Sequence, residues 1–457
     1  MKDKIFAQIS RNQNWSVNLL KEALSIPSIS AQNKGLKESA TLMIKIFRKH
    51  GFSVISETIK GNQVVLAGRD VDPKLPTILF YNHYDVQPPE PLEEWLSPPF
   101  KPVIRQGRIF ARGAADNKGN LMARLAAVKA FDDAGIPLPV NVRFLVDGRE
   151  EVGSPGLDEF IKKHHKDIRA DICIWEFGYR TASGTPVLSL GCKGILYIEL
   201  VARGSNRDLH SSKGIVVPNP GWQLVWALNS MKDQSERILI KGFYDKVNFR
   251  PASPSAFQGM KIYRIDSTPK QLGISRFVLG LKGDNLLKRY YYQPCLNING
   301  LSGGYEGRGH KTVLPRQALV KADFRLVPDQ DPADIIRKVR AHLNRRGFGN
   351  IEITSFHGYK PALTPPSHPR FRQLIGIMKA ASKSVYAKPF EVEPISPASG
   401  PMYLFRGRLL NDMPCFALGI GHPGSNIHAP NENIYLNEYL KGTRFIAALM
   451  MELGRKF

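Results

Sequence analysis

Residues 77–95 of the chain read TILFYNHYDVQPPEPLEEW. The apolar run over residues 77–82 predicts a strand that is buried on both faces, as in a parallel sheet. His83 and Asp85 follow directly, and the prolines after them exclude regular secondary structure. Ligand sites of α/β proteins lie at the carboxyl ends of parallel strands. The stretch therefore predicts an α/β fold with a histidine and an aspartate at one edge of the sheet.

Strand and helix patterns alternate along the chain on both sides of this run. Further strands are predicted at residues 141–146, 171–175 and 415–420, and helices at 12–25, 37–50, 117–134, 155–166, 369–384 and 437–455. Short apolar strands that alternate with helices indicate a doubly wound α/β domain with a central, mostly parallel sheet.

Near Gly191 the pattern changes to that of an antiparallel sheet. Residues 194–203 and 317–327 alternate apolar and polar side chains, as strands with one solvated face do. A helix at 332–346 and a strand at 351–356 follow. We therefore expect residues 1–190 and 361–457 to form the α/β domain, with residues 191–360 inserted as an α+β unit.

Composition and charge bound the class of protein. The chain has 457 residues, 42% hydrophobic and 23% charged, which is typical of a soluble two-domain protein. No segment has the roughly 20 apolar residues of a membrane span, no signal peptide is visible, and the four cysteines are scattered, so we expect a cytoplasmic location. The net charge of +24 fits either a polyanion partner or a basic solvated surface. Because no nucleic-acid-binding motif accompanies it, we expect no specific nucleic acid and no membrane partner.

Side chains that bind metals stand just after the predicted strands or at the start of a helix. They are His83, Asp116, Glu150, Glu151, Glu176 and His428. Two imidazoles and three carboxylates suit a pair of divalent ions, zinc foremost, with one carboxylate bridging the two. A fourth carboxylate, free of metal, would take a proton from water. The adjacent Glu150 and Glu151 fit this division, since neighbours in an extended loop point in different directions.

His83 and Asp85 have a further relation under this hypothesis. His83 would be a ligand, and Asp85 would accept its other ring N–H and fix its tautomer. Taken singly, each candidate has an ordinary interpretation: a solvated histidine, a helix N-cap at Asp116, an acidic loop at Glu150 and Glu151. Six such groups together favour the metal site. A silent binding protein on the same scaffold would lack a ligand or the base, whereas this chain has competent residue types at each position.

Four segments resemble the signature segments of the M20 metallopeptidases: HYDVQP (83–88), ARGAADNKG (111–119), DGREEVGS (147–154) and SNIHAPNE (425–432). RDLHSSKG (207–214), GHKTVLPRQALVKADFRLVPDQDP (309–332) and PASGPMYLF (397–405) resemble the carnosinase-like dipeptidase branch most. The resemblance implies a hydrolase with two Zn²⁺ per subunit, which Mn²⁺ or Co²⁺ can replace. Its substrate would be a small peptide, cleaved next to a free carboxylate. It also implies that residues 191–360 form a lid that carries a homodimer interface.

The resemblance also implies a role for each residue of the centre. His83 and Glu176 would hold one metal, Glu151 and His428 the other, and Asp116 would bridge both. Glu150 would be the general acid/base and Asp85 the orienting carboxylate. A histidine matching His210 would reach the neighbouring subunit's site and stabilise the oxyanion of the tetrahedral intermediate.

Four further positions match substrate contacts of that branch. Arg325 and Ser399 would hold the free carboxylate, for which a guanidinium is well suited, and Thr312 and His357 would contact the substrate. As alternatives, Arg325 could be a salt-bridge partner on its strand and Thr312 an ordinary residue of the sheet surface.

One position departs from the dipeptidase pattern. Dipeptidase relatives usually carry Asp where this chain has Glu176, whereas aminoacylases and deacylases carry Glu. The segments that resemble the dipeptidase branch predict a dipeptidase. Because of Glu176, an N-acyl amino acid deacylase is the alternative on the same site.

Overall fold

The computed structural model describes residues 1–248, 263 and 268–457. Its strands are β1 Ser53–Ile59, β2 Asn62–Arg69, β3 Thr77–His83, β4 Val103–Arg105, β5 Arg108–Phe110, β6 Asn141–Asp147, β7 Ile172–Trp175, β8 Val187–Ser189, β9 Gly191–Cys192, β10 Gly194–Arg203, β11 Leu209–His210, β12 Cys295–Ser302, β13 Val313–Leu314, β14 Gln317–Leu326, β15 Glu352–Tyr359, β16 Ala362–Leu363, β17 Glu391–Glu393, β18 Cys415–Ala417 and β19 Asn433–Tyr435. Its helices are α1 Lys2–Arg11, α2 Gln13–Leu24, α3 Leu36–Lys49, α4 Lys118–Asp133, α5 Leu157–Lys163, α6 His165–Ile168, α7 Pro220–Met231, α8 Gly283–Tyr292, α9 Pro332–Arg345, α10 Phe371–Tyr386 and α11 Leu436–Lys456.

A mixed sheet of eight strands lies at the centre of the described part of the chain, in the order β1-β2-β6-β3-β7-β18-β8-β17. Its middle strands β6, β3, β7 and β18 run parallel. β1 and β2 add an antiparallel hairpin at one edge, closed by Lys60 and Gly61, which both have positive φ. The predicted fold class is confirmed. The hairpin of β1 and β2 was not predicted.

Helices cover both faces of this sheet, as the doubly wound class requires. Ile78 and Phe80 of β3 belong to a core that includes α1–α4, α10 and α11. Leu79 and Tyr81 face the other way, into a core with α5 and α6. The continuous apolar run of the opening stretch is therefore buried on both sides.

A second sheet, in the order β12-β14-β10-β15, is antiparallel and carries α7 and α9 on one face. Alternate residues of β14, from Ala318 to Leu326, are buried against these helices, as the alternation predicted. The chain enters and leaves this unit through β9 and β16, which pair antiparallel. A Cβ atom on Gly191 would lie 2.0 Å from the carbonyl oxygen of Ala362, so glycine permits this close pairing.

Two predicted boundaries were wrong. The strand predicted at 415–420 ends at Ala417, because the chain turns away where Gly419 packs on the backbone of Gly178. The helix predicted at 155–166 is divided into α5 and α6 at His164. The helix predicted at 12–25 is present as α2, and α1 before it was not predicted. No helix among the described residues has the length and apolarity that crossing a bilayer requires.

Candidate metal centre

The ends of three parallel strands are tied together beneath the candidate site. The guanidinium of Arg124, on α4, is fully buried and donates to the carbonyl oxygen of Tyr81 and to Asn82 Oδ1, both at 2.8 Å. It also donates to the carbonyl oxygens of Trp175 and Leu418. One side chain thus fixes the ends of β3, β7 and β18, which lead to His83, Glu176 and the loop of His428. This role could not be predicted, because Arg124 stands inside an ordinary helical pattern.

The carboxylate of Asp116 lies between the two candidate histidine ligands. His83 Nε2 is 2.9 Å from Asp116 Oδ1, and His428 Nε2 is 3.1 Å from Asp116 Oδ2. His428 Nε2 is also 3.3 Å from Glu151 Oε2. Ligand atoms of His83, Asp116 and Glu151 all lie within 4.8 Å of one another. Four of the predicted ligands therefore converge, with one carboxylate oriented to both imidazoles.

The fifth predicted ligand and the predicted base complete a crowded acidic cluster. Burial raises the pKa of Glu176 to about 8, with His83 and Asp116 among its charged neighbours. Burial likewise holds the pKa of Glu150 well above its ordinary value and raises that of Glu151. The carboxylates are thus buried together at an energetic cost that nearby positive charge would relieve.

The pKa values of the two histidines are raised as well, in their case because they form hydrogen bonds with the carboxylates. Burial by itself would lower the pKa of His428, but hydrogen bonds with Asp116 and Glu151 raise it to about 10. The pKa of His83 is also well above its ordinary value, because hydrogen bonds with Asp116 and Asp85 outweigh its burial. The cluster therefore favours positive charge, which divalent cations would supply. The donor set, two imidazoles and several oxygen ligands, fits such ions.

Asp85 contacts both His83 and the turn that carries Glu150 and Glu151. His83 Nδ1 is 3.1 Å from the carbonyl oxygen of Asp85 and 3.4 Å from its carboxylate. The same buried carboxylate accepts the backbone N–H groups of Glu150 at 3.0 Å and Glu151 at 3.1 Å. Asp85 therefore joins the histidine at the end of β3 to the turn that carries both glutamates. Of these contacts, only the one between Asp85 and His83 was predicted.

The two adjacent glutamates point to different neighbours. Glu151 Oε2 accepts a hydrogen bond from Gln87 at 3.0 Å and faces His428. A Cβ atom on Gly400 would lie 3.4 Å from Glu150 Oε1, so Glu150 faces the loop at residues 397–400. Gln87 lies in the segment HYDVQP, and its contact with Glu151 was not predicted.

Arg325 reaches the same loop from the inserted unit. Its Nη1 donates to Ser399 Oγ at 3.1 Å, and its Nε donates to Asp323 Oδ1 at 3.0 Å. The guanidinium is thus a salt-bridge partner, as one interpretation held, and it also stands beside Ser399, as the other required. His357 lies against the turn that carries Glu150 and Glu151, since a Cβ atom on Gly153 at the end of that turn would be 2.8 Å from His357 Nε2. Its pKa is lowered by burial.

His210 and Thr312 lie together but apart from this cluster. His210 ends β11 and Thr312 directly precedes β13, and these two short strands pair antiparallel. The carbonyl oxygen of Thr312 accepts the N–H of Ser211 at 3.1 Å. His210 is exposed, and its Nδ1 lies 2.9 Å from Ser212 Oγ. Within the described residues of this one chain, His210 makes no hydrogen bond to the acidic cluster.

A further carboxylate, Glu432, holds the loop before Asp116 from the inside. It is fully buried and accepts the backbone N–H of Asp116 at 2.9 Å. It ends the segment SNIHAPNE, four residues after His428, and this position in a motif is the signal by which it could have been singled out.

Comparison with known proteins agrees with this arrangement. The model of peptidase family M20/M25/M40 matches residues 79–452. The chain is 28% identical over 476 residues to a Cys-Gly metallodipeptidase of Schizosaccharomyces pombe, covering 99% of this chain and 98% of that protein. It is 28% identical over 486 residues to the Beta-Ala-His dipeptidase of Rattus norvegicus, covering 99% and 96%. Among solved structures, an M20 family metallo-carboxypeptidase of Sulfolobus solfataricus superposes with a TM-score of 0.87 at 35% identity, covering 96% of this chain and 99% of that one.

Proposed function

Because this chain belongs to peptidase family M20, we propose that it is a metal-dependent dipeptidase, which hydrolyses the amide bond next to the free carboxylate of a short peptide. The observation that carries the proposal is the position of the Asp116 carboxylate, within 3.1 Å of both His83 and His428. The names of the two dipeptidases to which the chain is similar over nearly its whole length support the substrate class.

The proposed cofactor is a pair of Zn²⁺ ions, for which Mn²⁺ or Co²⁺ can substitute. His83 and Glu176 would hold one ion, Glu151 and His428 the other, and Asp116 both. Ions bound there would polarise the substrate carbonyl and lower the pKa of the attacking water. The raised pKa values of His83 and His428 support this assignment, because they show that the cluster favours positive charge.

Glu150 is the proposed general acid/base. It would accept the proton of the attacking water and deliver it to the leaving amine. A carboxyl group whose pKa is raised by burial is suited to both steps, since it holds a proton more firmly than an ordinary glutamate and can still release it. Asp85 would orient Glu150 through the backbone N–H that it accepts.

The proposed carboxylate anchor is Arg325 with Ser399. Glu150 faces the loop that carries Ser399, so the anchor lies on the Glu150 side of the cluster and His428 lies on the Glu151 side. A dipeptide held by its carboxylate at Arg325 would therefore present its leaving amine near Glu150. Thr312 and His357 are proposed as further substrate contacts.

We further propose that residues 191–360 act as a lid and dimerisation domain on the α/β domain formed by residues 1–190 and 361–457. The pairing of β9 with β16 supports these boundaries. The apolar side chains of Trp222 and Trp226 on α7 are more than half exposed, as are Ile298 and Leu301 on the edge strand β12. An edge strand beside an apolar helix face is suited to pairing with a second copy. In that homodimer, His210 of one subunit would stabilise the oxyanion in the site of the other.

A cytoplasmic location is proposed as well. The four cysteines, all within the described residues, are free thiols, as a reducing compartment maintains them.

The second candidate activity is the hydrolysis of N-acyl amino acids, and the observation that favours it is the glutamate at position 176. Both candidates are tested on the same preparation, stripped of metal with a chelator and reloaded with Zn²⁺, Mn²⁺ or Co²⁺. We expect no hydrolysis by the stripped protein, and restored hydrolysis of dipeptides in preference to N-acetyl amino acids. Preference for the acetyl compounds would reject the dipeptidase assignment. Full activity without metal would reject both.

A further inference from the structure

The carboxylate of Glu432 is surrounded by hydrogen-bond donors from the loop before Asp116. Its Oε1 accepts the backbone N–H of Ala115 at 2.8 Å and that of Asp116 at 2.9 Å. Its Oε2 accepts the backbone N–H of Gly113 at 2.8 Å and the guanidinium of Arg112 at 2.9 Å. Glu432 has no exposed surface. Each oxygen thus accepts two hydrogen bonds from one short segment.

Backbone N–H groups that converge on an anion form a nest, which in other proteins often binds a phosphate or a similar ligand. Here a side chain of the protein itself occupies the nest. Gly113 has φ +90°, and a Cβ atom there would lie 2.9 Å from Val86 Cγ1, so the turn requires glycine. The conformation of the loop therefore depends on the position of the Glu432 carboxylate.

The last donor of the nest belongs to the residue at the middle of the metal centre. The backbone N–H of Asp116 is bound to Glu432, while its carboxylate lies between His83 and His428. Glu432 also follows His428 by four residues on the same segment. A movement of Glu432 would therefore shift Asp116 relative to both histidines.

We propose that Glu432 is a positioning residue of the metal centre, which holds Asp116 where its carboxylate can serve both ions. The inference rests on the proposed function. Glutamine at this position would present an NH₂ group, a donor, to donors of the loop, and part of the nest would lose its acceptor. Because Asp116 would serve both ions, the affinity for both should fall. Loss of a terminal ligand such as Glu151 should weaken one ion more than the other.

The test measures zinc affinity by competition with a chromophoric chelator for the wild type, Glu432→Gln and a matched control. The control is Glu393→Gln, because Glu393 is equally buried and hydrogen-bonded by Tyr179 and Ser189 but lies at the edge strand β17. For Glu432→Gln we expect affinity for both ions to fall by about 10- to 100-fold, the usual effect of removing a group that orients a ligand. Glu393→Gln should match the wild type. Excess zinc should restore much of the kcat of Glu432→Gln, as it would not for a variant that lacks the base.

The outcomes separate this inference from the proposed function. If the wild type binds no zinc, both are overturned. If the wild type binds two ions and Glu432→Gln binds them with equal affinity, only the inference is overturned. If Glu432→Gln does not fold, Glu432→Asp keeps the charge and withdraws the carboxylate by one carbon, with Glu393→Asp as its control. The same fall in zinc affinity is then expected, and its absence overturns the inference.

Discussion

Glu150 and Glu151 are adjacent in the chain, but their proposed roles differ: Glu150 is the general acid/base, and Glu151 is a metal ligand. Replacing Glu150 by glutamine should lower kcat by about 10²- to 10⁴-fold, the range that general acid/base catalysis provides, while zinc content stays at the wild-type level. The measurement is kcat on a dipeptide together with bound zinc per chain. The control is Glu151→Gln, which should lose zinc. Near-normal turnover by zinc-loaded Glu150→Gln would contradict the assignment of the base.

Arg325 is expected to act on binding rather than on the chemical step. Arg325→Met should raise KM for a dipeptide by roughly 10- to 100-fold, since a hydrogen bond to a charged group contributes about 1.5–3 kcal/mol. The same variant should hardly change KM for the C-terminal amide of that dipeptide, which has no carboxylate. Because Asp323 would lose its partner, the unfolding temperature is measured alongside. Equal effects on the acid and the amide would mean that Arg325 does not hold the carboxylate.

The candidate ligands could be named from the sequence because each stands where a predicted strand or helix boundary puts it. His83, Glu176 and His428 follow strands, and parallel strands bring such residues to one edge. Arg124 and Glu432 could not be assigned in this way. Both act largely on backbone carbonyl or N–H groups of distant segments, and contacts of that kind cannot be read from strand and helix patterns. The only signal for Glu432 was its place in the segment SNIHAPNE.

At the scale of elements, strand β17 carries a buried carboxylate that should make stability depend on pH. Burial raises the pKa of Glu393 to about 7 from 4.5. A carboxyl group whose pKa is higher in the folded state stabilises the fold below about pH 4.5, and this contribution is lost as pH rises through 7. The loss amounts to at most about 3.5 kcal/mol, because one pKa unit corresponds to about 1.4 kcal/mol.

Glu393→Gln should remove this dependence. Between pH 5 and pH 8, the free energy of unfolding should fall less for the variant than for the wild type, as measured by denaturant titration at both pH values. The other titrating groups are common to both proteins, so the difference isolates Glu393. Parallel pH profiles would show that the carboxyl group of Glu393 is not perturbed in the folded protein.

The elements that sequence reasoning found are those with a strong apolar period. β3 and β7 are apolar on both faces, and every second residue of β14 from Ala318 to Leu326 is apolar and buried. The hairpin of β1 and β2 was missed because β1 is a half-exposed edge strand with polar residues, so it has no apolar run. β12 was missed for the same reason, since only Leu296 among its residues is buried.

At the scale of the whole molecule, the proposed mechanism requires two chains for one complete active site, because His210 would come from the partner subunit. Trp222→Glu with Trp226→Glu should convert a dimer into a monomer, because two charges would be buried in the proposed interface, and activity should fall with it. Light scattering gives the mass. A stable, active dimer of this double variant would locate the interface elsewhere.

Complementation tests whether His210 acts across that interface. His210→Ala and Glu150→Gln should each be nearly inactive alone. After the two are unfolded and refolded together, half of the dimers are mixed. Each mixed dimer has one site with an intact Glu150 and an intact His210 from the other subunit. About one quarter of wild-type activity should therefore return. No recovery would mean that His210 serves the site of its own chain or none.

Anomalous diffraction from zinc-loaded crystals tests the central claim most directly, that two cations share the carboxylate of Asp116. The account predicts two peaks about 3.5–4 Å apart, one beside His83 and Glu176, the other beside Glu151 and His428, with Asp116 in contact with both. A single peak away from Asp116, or no peak at this edge of the sheet, would contradict it.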